Sequence, residues 1–311
     1  MENEKRPLLE VKDLSVSFRM YDKGLEQTEL PVISHLSIAV QPGEILAIAG
    51  SSGSGKSLLA AAILGILPHN ASMTGELTFD GAPLTPGRQR ALRGEDIALV
   101  PQSVAFLDPL MKVGKQTDGH KKPRPTEKRR GLFRRFGLPE KTENLYPFQL
   151  SGGMARRVLV STALLTEARL IIADEPTPGM SLDQALEALT MFREMADEGK
   201  AVILITHDID LAFAFADRVS VFYAGSTVET APAADFRTGP EKLRHPYSKA
   251  LWRALPQNGF APTEGFQPYA GEMPPGCPFA PRCPLATDVC HEAMPPVQRL
   301  RGGEVRCYHA T

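Results

Sequence analysis

Eight consecutive residues have the types and spacing of a phosphate-binding loop. They are Gly50, Ser51, Ser52, Gly53, Ser54, Gly55, Lys56 and Ser57, and they match the pattern G-x-x-x-x-G-K-[ST]. The glycines allow the backbone to curl until successive N–H groups point at phosphate oxygens, and a following helix adds the positive end of its dipole. Lys56 would supply a cation for the β- and γ-phosphates, and Ser57 would supply a hydroxyl for Mg²⁺.

Two adjacent carboxylates, Asp174 and Glu175, follow an apolar run. The run Leu170–Ala173 predicts a buried strand, and open α/β sheets bind their ligands at the carboxyl ends of the strands. Asp174 suits Mg²⁺, because this ion prefers oxygen ligands and keeps part of its hydration shell. We expect Glu175 to polarise the water that attacks the terminal phosphate.

Gln102 and His207 also follow predicted strands. His207 comes directly after the apolar run Val202–Thr206, and Gln102 comes shortly after Ile97–Val100. Taken alone, either residue is more typical of a polar cap or an exposed surface position. Because these strands would belong to the same sheet as the phosphate-binding loop, we expect His207 to reach the γ-phosphate. Gln102 would then sense the γ-phosphate, Mg²⁺ or the attacking water.

The elements that must hold these groups alternate between strands and helices. Apolar patterns predict strands around Leu14–Phe18, at Glu44–Ala49, at the three runs above and at Val219–Tyr223, with a hairpin at Asp80-Gly81. Helical patterns cover Lys56–Leu67 and about 151–166, 184–198 and 208–216. Strands that alternate with helices indicate an α/β fold with a mostly parallel sheet that is covered on both faces.

Composition excludes several classes of protein. The chain has 311 residues with 35 Lys+Arg against 36 Asp+Glu, so its formal net charge is −1 and it is no globally basic nucleic-acid binder. The longest apolar run, residues 58–67, is far shorter than the roughly 20 residues that cross a bilayer. The first ten residues lack the apolar stretch of a secretory signal. We therefore expect a protein that is made and kept in the cytoplasm.

The last part of the chain differs from the rest. Ten of the 27 prolines and all four cysteines follow Leu255, which predicts a body over residues 1–255 and a Pro- and Cys-rich extension over 256–311. The cysteines are Cys277, Cys283, Cys290 and Cys307. Disulfides are disfavoured in the cytoplasm, which leaves a metal site or unused thiols. Zinc sites usually have paired C-x₂₋₄-C ligands, which this spacing lacks.

A basic segment lies in the middle of the body. Residues 121–135 contain eight Lys or Arg and a single acid. The simpler interpretation is a solvated, partly helical surface. A patch that binds phosphate or anionic lipid is the alternative.

One further motif completes a recognisable set. The stretch Leu150-Ser151-Gly152-Gly153-Met154, taken with the loop and the strand ends above, resembles the signature of ABC transporter nucleotide-binding subunits, and the resemblance runs from about Leu8 to Ala310. It implies a P-loop NTPase fold with a mostly parallel core, an antiparallel β subdomain and a helical subdomain inserted over about 102–166.

The same resemblance implies a site that two subunits share. In this family the signature residues serve the ATP that is held by the opposite subunit's phosphate-binding loop, so Ser151, Gly152 and Gly153 would complete a partner's site. Ser57, Gln102 and Asp174 would hold Mg²⁺. Phe18 corresponds to the aromatic residue that stacks on adenine, with Tyr21 as a less favoured substitute.

The C-terminal part of the chain narrows the resemblance to one group within the ABC family. His245–Leu251 and Gly276–Cys283 are similar to the extension of peptide- and nickel-importer ATPases, and Met154 is typical of their D-type subunit. The resemblance implies an F-type partner ATPase, two transmembrane permease subunits and an extracytoplasmic solute-binding protein. It also implies a peripheral position at the cytoplasmic face of the membrane, uptake of peptides or of nickel and metal chelates, and a [4Fe–4S] cluster on the four cysteines.

Three departures from the family pattern stand out. Ala155-Arg156-Arg157 replaces the usual Arg-Gln-Arg, only 48 residues separate Gln102 from Ser151, and Ser181 stands where the family has an interface Asp. Either Asp183 substitutes for that Asp, or the contact is lost and Ser181 caps a helix. Two alternative functions remain open: an ABC ATPase that acts on nucleic acid or the ribosome, and a catalytically weak half-site of a heterodimeric transporter.

Overall fold

The computed structural model describes residues 6–21, 24, 26–118 and 126–311. The strands are β1 (Leu9–Tyr21), β2 (Gln27–Val40), β3 (Ile45–Gly50), β4 (Ala71–Phe79), β5 (Ala82–Pro83), β6 (Ile97–Val100), β7 (Leu170–Asp174), β8 (Ala201–Ile205), β9 (Arg218–Tyr223), β10 (Ser226–Pro232), β11 (Val297–Leu300) and β12 (Gly303–Arg306). The α-helices are α1 (Lys56–Leu64), α2 (Pro86–Leu92), α3 (Val113–Thr117), α4 (Thr126–Arg135), α5 (Gly152–Leu164), α6 (Leu182–Asp197), α7 (Ile209–Phe215), α8 (Ala233–Thr238), α9 (Pro246–Arg253) and α10 (Asp288–Glu292).

The larger sheet positions the predicted site. Its eight strands lie in the order β11-β12-β10-β9-β3-β8-β7-β6, and the strands from β9 to β6 are parallel. The phosphate-binding loop follows β3, while Glu175 follows β7 and His207 follows β8. Because these three strands are neighbours and run in the same direction, their carboxyl ends meet at one edge of the sheet.

A second sheet of four antiparallel strands lies beside the first, in the order β2-β1-β4-β5. Its central strand β1 pairs Leu9 with both Val40 of β2 and Phe79 of β4. The hairpin at Asp80-Gly81 joins β4 to β5, with Phe79 opposite Ala82.

The large sheet separates two hydrophobic cores. In β3, Ile45, Ala47 and Ala49 face the core that is formed with the helices, whereas Leu46 and Ile48 face the core that includes the small sheet. This alternation follows from the period of two along a strand. All six residues of β3 are buried, because the sheet is covered on both faces. The α/β fold with a mostly parallel sheet and an antiparallel subdomain is confirmed.

The part of the chain between Gln102 and the signature is mainly helical. It contains α3, α4 and three short 3₁₀ helices over Val104–Phe106, Glu140–Asn144 and Pro147–Gln149, and α5 begins within the signature. Phe133 and Phe136 insert into the core beside α5. These residues connect the segment to the signature helix, and the trimmed helical subdomain stays a prediction of the motif spacing.

Four of the five basic residues in the described part of the basic segment form ion pairs within the protein: Lys128, Arg129, Arg130 and Arg135. Residues 126–135 form α4, and residues 121–125 lie outside the described residues. Arg130 donates a hydrogen bond to Glu143 at 2.8 Å, and Arg135 contacts two glutamates of α6 at 2.8 Å. These contacts support the interpretation of a solvated helical surface.

The C-terminal region joins the body's own sheet. Strand β12 pairs with β10, and β11 pairs with β12. Arg244 is 1% exposed, lies 3.2 Å from Glu229 of β10 and donates to the carbonyl of Leu300 at 2.6 Å. The boundary predicted after residue 255 therefore marks a change of amino-acid composition. Residues on the two sides of it pack against each other in one sheet.

Several elements differ from their predicted bounds. Helix α1 ends at Leu64 rather than Leu67, because Gly65 adopts a left-handed conformation with φ of 64° and terminates the helix. Strands β2, β10, β11 and β12 were not predicted, although β2, β10 and β12 each pair with the strand that precedes them in the chain. Within the described part of the chain, no helix is both long enough and apolar enough to cross a membrane.

Candidate nucleotide-binding site

The phosphate-binding loop lies between β3 and α1 and has the backbone that its glycines require. Gly50 has a φ of 152°, and a Cβ atom there would lie 2.2 Å from the carbonyl oxygen of Phe222 in β9. Gly55 adopts a left-handed conformation with φ of 92° as the N-cap of α1. Any larger residue at Gly50 would push β3 and β9 apart, so the glycine serves both the loop and the sheet.

Lys56 is held inside the loop. Its Nζ donates hydrogen bonds to the carbonyl oxygens of Gly50 at 3.0 Å and of Ser51 at 2.9 Å. Burial lowers the pKa of Lys56, and the negative charges of Glu175 and Asp174 oppose that shift. The ammonium group of Lys56 is thus hydrogen-bonded to two carbonyl oxygens and lies near two carboxylates. It can exchange these carbonyl oxygens for phosphate oxygens when a nucleotide binds.

Asp174 lies beside the loop in the manner expected of a magnesium ligand. Burial raises the pKa of its carboxyl group, and a hydrogen bond from Ser57 acts in the opposite direction. Its Oδ1 atom is buried and has no hydrogen-bond partner among the described residues. An orphaned carboxylate oxygen next to a serine hydroxyl is a suitable donor pair for Mg²⁺.

Glu175 and His207 form a pair at the mouth of the site. Oε2 of Glu175 lies 2.6 Å from Nδ1 of His207, with the glutamate side chain 10% exposed and the histidine 70% exposed. Glu175 has a φ of 51°, a strained conformation for a residue other than glycine. Its backbone N–H donates to the carbonyl of Ile205 at 2.9 Å, which holds this turn against β8.

One cavity of about 490 Å³ brings most of the predicted residues together. Its lining residues are Ser52, Gly53, Gly55, Lys56, Ser57, Leu58, Gln102, Glu175 and His207. Asp174 lies directly behind it, against Ser57. The cavity thus joins a phosphate-binding loop, a lysine cation, the hydroxyl of Ser57 and a carboxylate beside a histidine, which together suit hydrolysis of a nucleoside triphosphate.

Comparison with known proteins agrees with this chemistry. Residues 33–178 match the family described as "ABC transporter", and residues 228–290 match "Oligopeptide/dipeptide transporter, C-terminal region". The chain is 36% identical over 265 residues to the dipeptide transport ATP-binding protein DppD of Haemophilus influenzae, which covers 80% of this chain and 78% of that protein. The chain belongs to the ABC transporter family of ATP-binding proteins.

Other relatives and solved structures support the same assignment. The oligopeptide transport ATP-binding protein OppD of Salmonella typhimurium is 36% identical over 264 residues, covering 80% of this chain and 76% of that protein. A dimeric ATP-binding cassette in a post-hydrolysis state with ADP and Pi superimposes with a TM-score of 0.62 at 25% identity, over 72% of this chain and 98% of that one. Members of this family bind ATP with Mg²⁺ and hydrolyse it.

The signature residues of this ABC protein lie away from its own phosphate cavity. Ser151 is the N-cap of α5, and its Oγ accepts a hydrogen bond from the backbone N–H of Met154 at 3.3 Å. Ser151 and Gly152 are exposed, and Gly153 packs so closely on Gly179 that a Cβ would lie 3.0 Å from its carbonyl oxygen. The signature is therefore presented outward at the start of a helix.

Ser181 is the N-cap of α6, and its backbone N–H donates to the side-chain oxygen of Gln184 at 3.3 Å. Asp183 is exposed in the first turn of the same helix. The serine thus takes the capping position that the sequence suggested for it. Whether Asp183 replaces the family's interface aspartate stays a prediction.

Phe18, the predicted adenine-stacking residue, lies in β1 opposite Leu30 of β2 and Ala71 of β4. It is half-buried against the core of the small sheet and is not among the residues that line the phosphate cavity. Tyr21, the less favoured substitute, is 67% exposed at the end of β1. The adenine contact stays a prediction for both residues.

Arg156 is a site residue that sequence reasoning noted only as a departure from the family. It is 8% exposed and donates hydrogen bonds to the carbonyl oxygens of Pro101, at 3.1 Å, and Gln102. Burial lowers its pKa, and the charges of Glu175 and Asp174 oppose the shift. One side chain therefore ties the signature helix to the loop that carries Gln102 and adds positive charge near both carboxylates.

The four cysteines converge on a second, much smaller cavity. Cys277, Cys283, Cys290 and Cys307 line it together with His245 and His309, and its volume is about 10 Å³. Burial raises the pKa of Cys307 to about 11, and the neighbouring thiols add to that shift. His245 is fully buried, which lowers its pKa to about 3, so the ring is neutral. Among the described residues, no three Cys, His, Asp or Glu side chains are grouped as metal ligands.

Proposed function

We propose that this ABC protein hydrolyses ATP to power the uptake of peptides through a membrane importer. The observation that carries the proposal is the single cavity that joins Lys56, Gln102, Glu175 and His207 in a chain whose C-terminal part matches the oligopeptide/dipeptide transporter family. The two relatives described above are named for dipeptide and oligopeptide transport. Nickel and metal-chelate substrates stay a prediction of the sequence resemblance.

The residues of the cavity divide the work of hydrolysis. Lys56 leaves the two loop carbonyls to contact the β- and γ-phosphates, and the loop N–H groups hold the remaining oxygens. Ser57, Asp174 and Gln102 would hold Mg²⁺, which neutralises charge on the phosphates when bound. Glu175 orients and polarises the attacking water, and His207 stabilises the charge that develops on the γ-phosphate.

A second ATPase subunit completes each site. Ser151, Gly152 and Gly153 lie at an exposed helix N-terminus, where backbone N–H groups and the helix dipole attract an anion. We infer that this signature contacts the ATP held by a partner subunit of the F type, and that the partner's signature closes the site described here. The dimeric cassette reported above, in a state with ADP and Pi, supports this arrangement.

The permease subunits have a suitable place to dock. A cavity of about 830 Å³ lies between the body and the helical subdomain, and Leu64, Leu99, Phe106 and Met111 line it together with the charged residues Arg93, Asp108 and Lys115. Leu110 beside it is 87% exposed. We infer that each of two permease subunits inserts a helix into such a groove from the membrane, with this chain peripheral at the cytoplasmic face. A solute-binding protein outside the cell would deliver the peptide.

The four cysteines are the proposed ligands of a [4Fe–4S] cluster. Four thiols that line one cavity supply the number of cysteine ligands that such a cluster requires. The cavity as described holds no more than about one water molecule. Cluster binding therefore requires the cysteine-bearing segments to move apart.

The transport proposal is tested in the assembled importer. The chain is expressed with its permease and ATPase partners, reconstituted into liposomes, and supplied with solute-binding protein and labelled dipeptides or oligopeptides. We expect ATP-dependent peptide uptake that the change Glu175→Gln abolishes. An assembled complex that hydrolyses ATP without moving any peptide would overturn the proposed substrate. Salt-sensitive RNA binding by the purified chain would instead favour the nucleic-acid alternative.

The cluster proposal needs a separate measurement. The protein is purified without oxygen, and iron, acid-labile sulfide and zinc are measured per chain together with the visible absorption spectrum. We expect about four irons and four sulfides per chain, with both lost in Cys283→Ser. Stoichiometric zinc without sulfide, or no metal at all, would contradict the cluster.

A further inference from the structure

We propose that Tyr247 of α9 and Gln267 of the C-terminal extension position the phosphate-binding loop by holding Ser51. Neither residue lines the phosphate cavity, so both act through Ser51 rather than on the nucleotide. The proposal concerns the affinity of the loop for ATP. It does not depend on which substrate the importer carries.

Gln267 reaches the loop from the Pro-rich segment. The Oγ of Ser51 donates a hydrogen bond to Oε1 of Gln267, and the backbone N–H of Ala224 donates to the same oxygen at 3.4 Å. Ala224 directly follows β9, which is paired with β3. The glutamine therefore bridges Ser51 of the loop to the end of the strand beside β3.

Tyr247 holds the same serine from α9. Burial raises the pKa of its phenol, and contacts of the hydroxyl with the side chain and backbone of Ser51 act in the opposite direction. The ring is 6% exposed. It packs on Tyr223 at 4.4 Å and on Phe279 at 5.3 Å between ring centroids. The hydroxyl is thus carried on a side chain that its neighbours hold firmly in place.

The position of Ser51 affects Lys56 directly. The carbonyl oxygen of Ser51 is one of the two that accept a hydrogen bond from Lys56, at 2.9 Å. The hydroxyl of Ser51 therefore contacts Gln267 and Tyr247, while its carbonyl oxygen contacts Lys56. Fixing Ser51 keeps the loop in one conformation before ATP arrives, which reduces the conformational entropy lost on binding.

The catalytic groups lie on other elements. Glu175 and His207 follow β7 and β8 and have no contact with Tyr247 or Gln267 among those described. Loss of either contact with Ser51 should therefore weaken ATP binding and leave the chemical step unchanged. This split between affinity and turnover separates a positioning role from a general structural one.

Tyr247→Phe and Tyr223→Phe form a matched pair of variants. Each removes one hydroxyl from the same aromatic cluster, but the Tyr223 hydroxyl accepts a hydrogen bond from Arg282 at 3.1 Å instead of contacting Ser51. Gln267→Leu removes the acceptor on the other side of Ser51. Gln257→Leu is its control, because the side chain of Gln257 donates its hydrogen bond to Asp210 rather than accepting one from Ser51.

The experiment measures the Kd of the full-length chain for ATP with Mg²⁺ by calorimetry, and KM and kcat of the assembled importer. We expect Tyr247→Phe and Gln267→Leu to raise Kd and KM about five- to tenfold, with kcat within about twofold. The two controls should stay near the wild-type values, and melting temperatures identify any variant that is poorly folded.

Two results would overturn the proposal. One is a KM within twofold of wild type for a folded Tyr247→Phe protein. The other is an equal rise in KM for Tyr223→Phe, which would mean that only the packing of the aromatic cluster matters. Neither result bears on peptide uptake, so this proposal and the transport proposal can fail independently.

Discussion

Oε2 of Glu175 and Nδ1 of His207 lie 2.6 Å apart although the two residues follow different strands. The pairing of β7 with β8 sets Asp174 opposite Ile205, so Glu175, one residue further on, and His207, two residues further on, leave the sheet at the same edge. The strained backbone of Glu175 turns its carboxylate toward the histidine. The parallel sheet thus assembles the pair that would act on the attacking water.

Replacing Glu175 by glutamine should separate binding from turnover. The amide retains the shape of the side chain but cannot polarise water, and proton transfer by a positioned group contributes about 10²–10⁴ in rate. We expect kcat of the assembled complex to fall at least 100-fold, with Kd for ATP close to wild type. ATPase activity is measured with the partner's own site disabled. Unchanged turnover in that complex would show that Glu175 is not the catalytic carboxylate.

Arg156→Gln restores the residue that is usual in the family and removes the tie between α5 and the Gln102 loop. Hydrogen bonds from a charged donor contribute about 1.5–3 kcal/mol each. Glutamine cannot reach both the Pro101 and Gln102 carbonyls in the same way. We expect the free energy of unfolding to fall by about 2 kcal/mol and kcat to fall about tenfold, as read from urea unfolding and steady-state ATPase assays. Equal stability and activity in Arg156→Gln would contradict this role.

Glu143 should make the helical subdomain sensitive to acid. Hydrogen bonds from Arg130 and Arg129 lower the pKa of its carboxyl group below the ordinary value of 4.5. The ion pairs therefore stabilise the fold fully above about pH 4.5, and their contribution is lost as pH falls through the lower pKa of the folded state. We expect Glu143→Gln to lose about 1 kcal/mol at pH 7 and to match wild type more closely near pH 3.

Urea unfolding at both pH values measures this difference. Glu140→Gln is the matched control, because Glu140 belongs to the same 3₁₀ helix and is exposed. The control should change stability little at either pH. A loss for Glu143→Gln that is the same at pH 7 and pH 3 would rule out the ion pairs as its source.

The buried pair of Glu229 and Arg244 should help to hold β11 against the body, because Arg244 donates hydrogen bonds to the carbonyl oxygens of Leu300 and Arg301. Glu229 is 0% exposed and accepts hydrogen bonds from the backbone N–H groups of Arg244, at 2.9 Å, and His245, at 2.8 Å. Breaking a buried pair on one side typically destabilises by about 3–5 kcal/mol. We expect Glu229→Gln to lose that much in urea unfolding.

The exposed pair of Lys128 and Glu167 is the comparison, with a distance of 2.9 Å. Lys128→Gln should change the free energy of unfolding by less than about 1 kcal/mol, since water screens exposed charges. If both variants lose a similar small amount, the C-terminal region must be held by its apolar contacts instead.

The sequence by itself determined the phosphate-binding loop, the parallel strands and the positions of Asp174, Glu175 and His207. These features could be predicted because each depends on residues close together in the chain: a glycine-rich turn, a buried apolar run, and the polar residue that ends it. Since parallel strands bring their carboxyl ends together, local patterns were enough to predict one shared edge.

Only the tertiary structure decided which distant residues support that edge. Arg156 reaches Pro101 and Gln102 across the gap between α5 and β6, and Gln267 reaches Ser51 from more than 200 positions away along the chain. Strand β12 likewise pairs with β10, although the two strands are far apart in the chain. Such contacts depend on strand order and on side-chain packing between elements, and neither leaves a periodic pattern in the residues themselves.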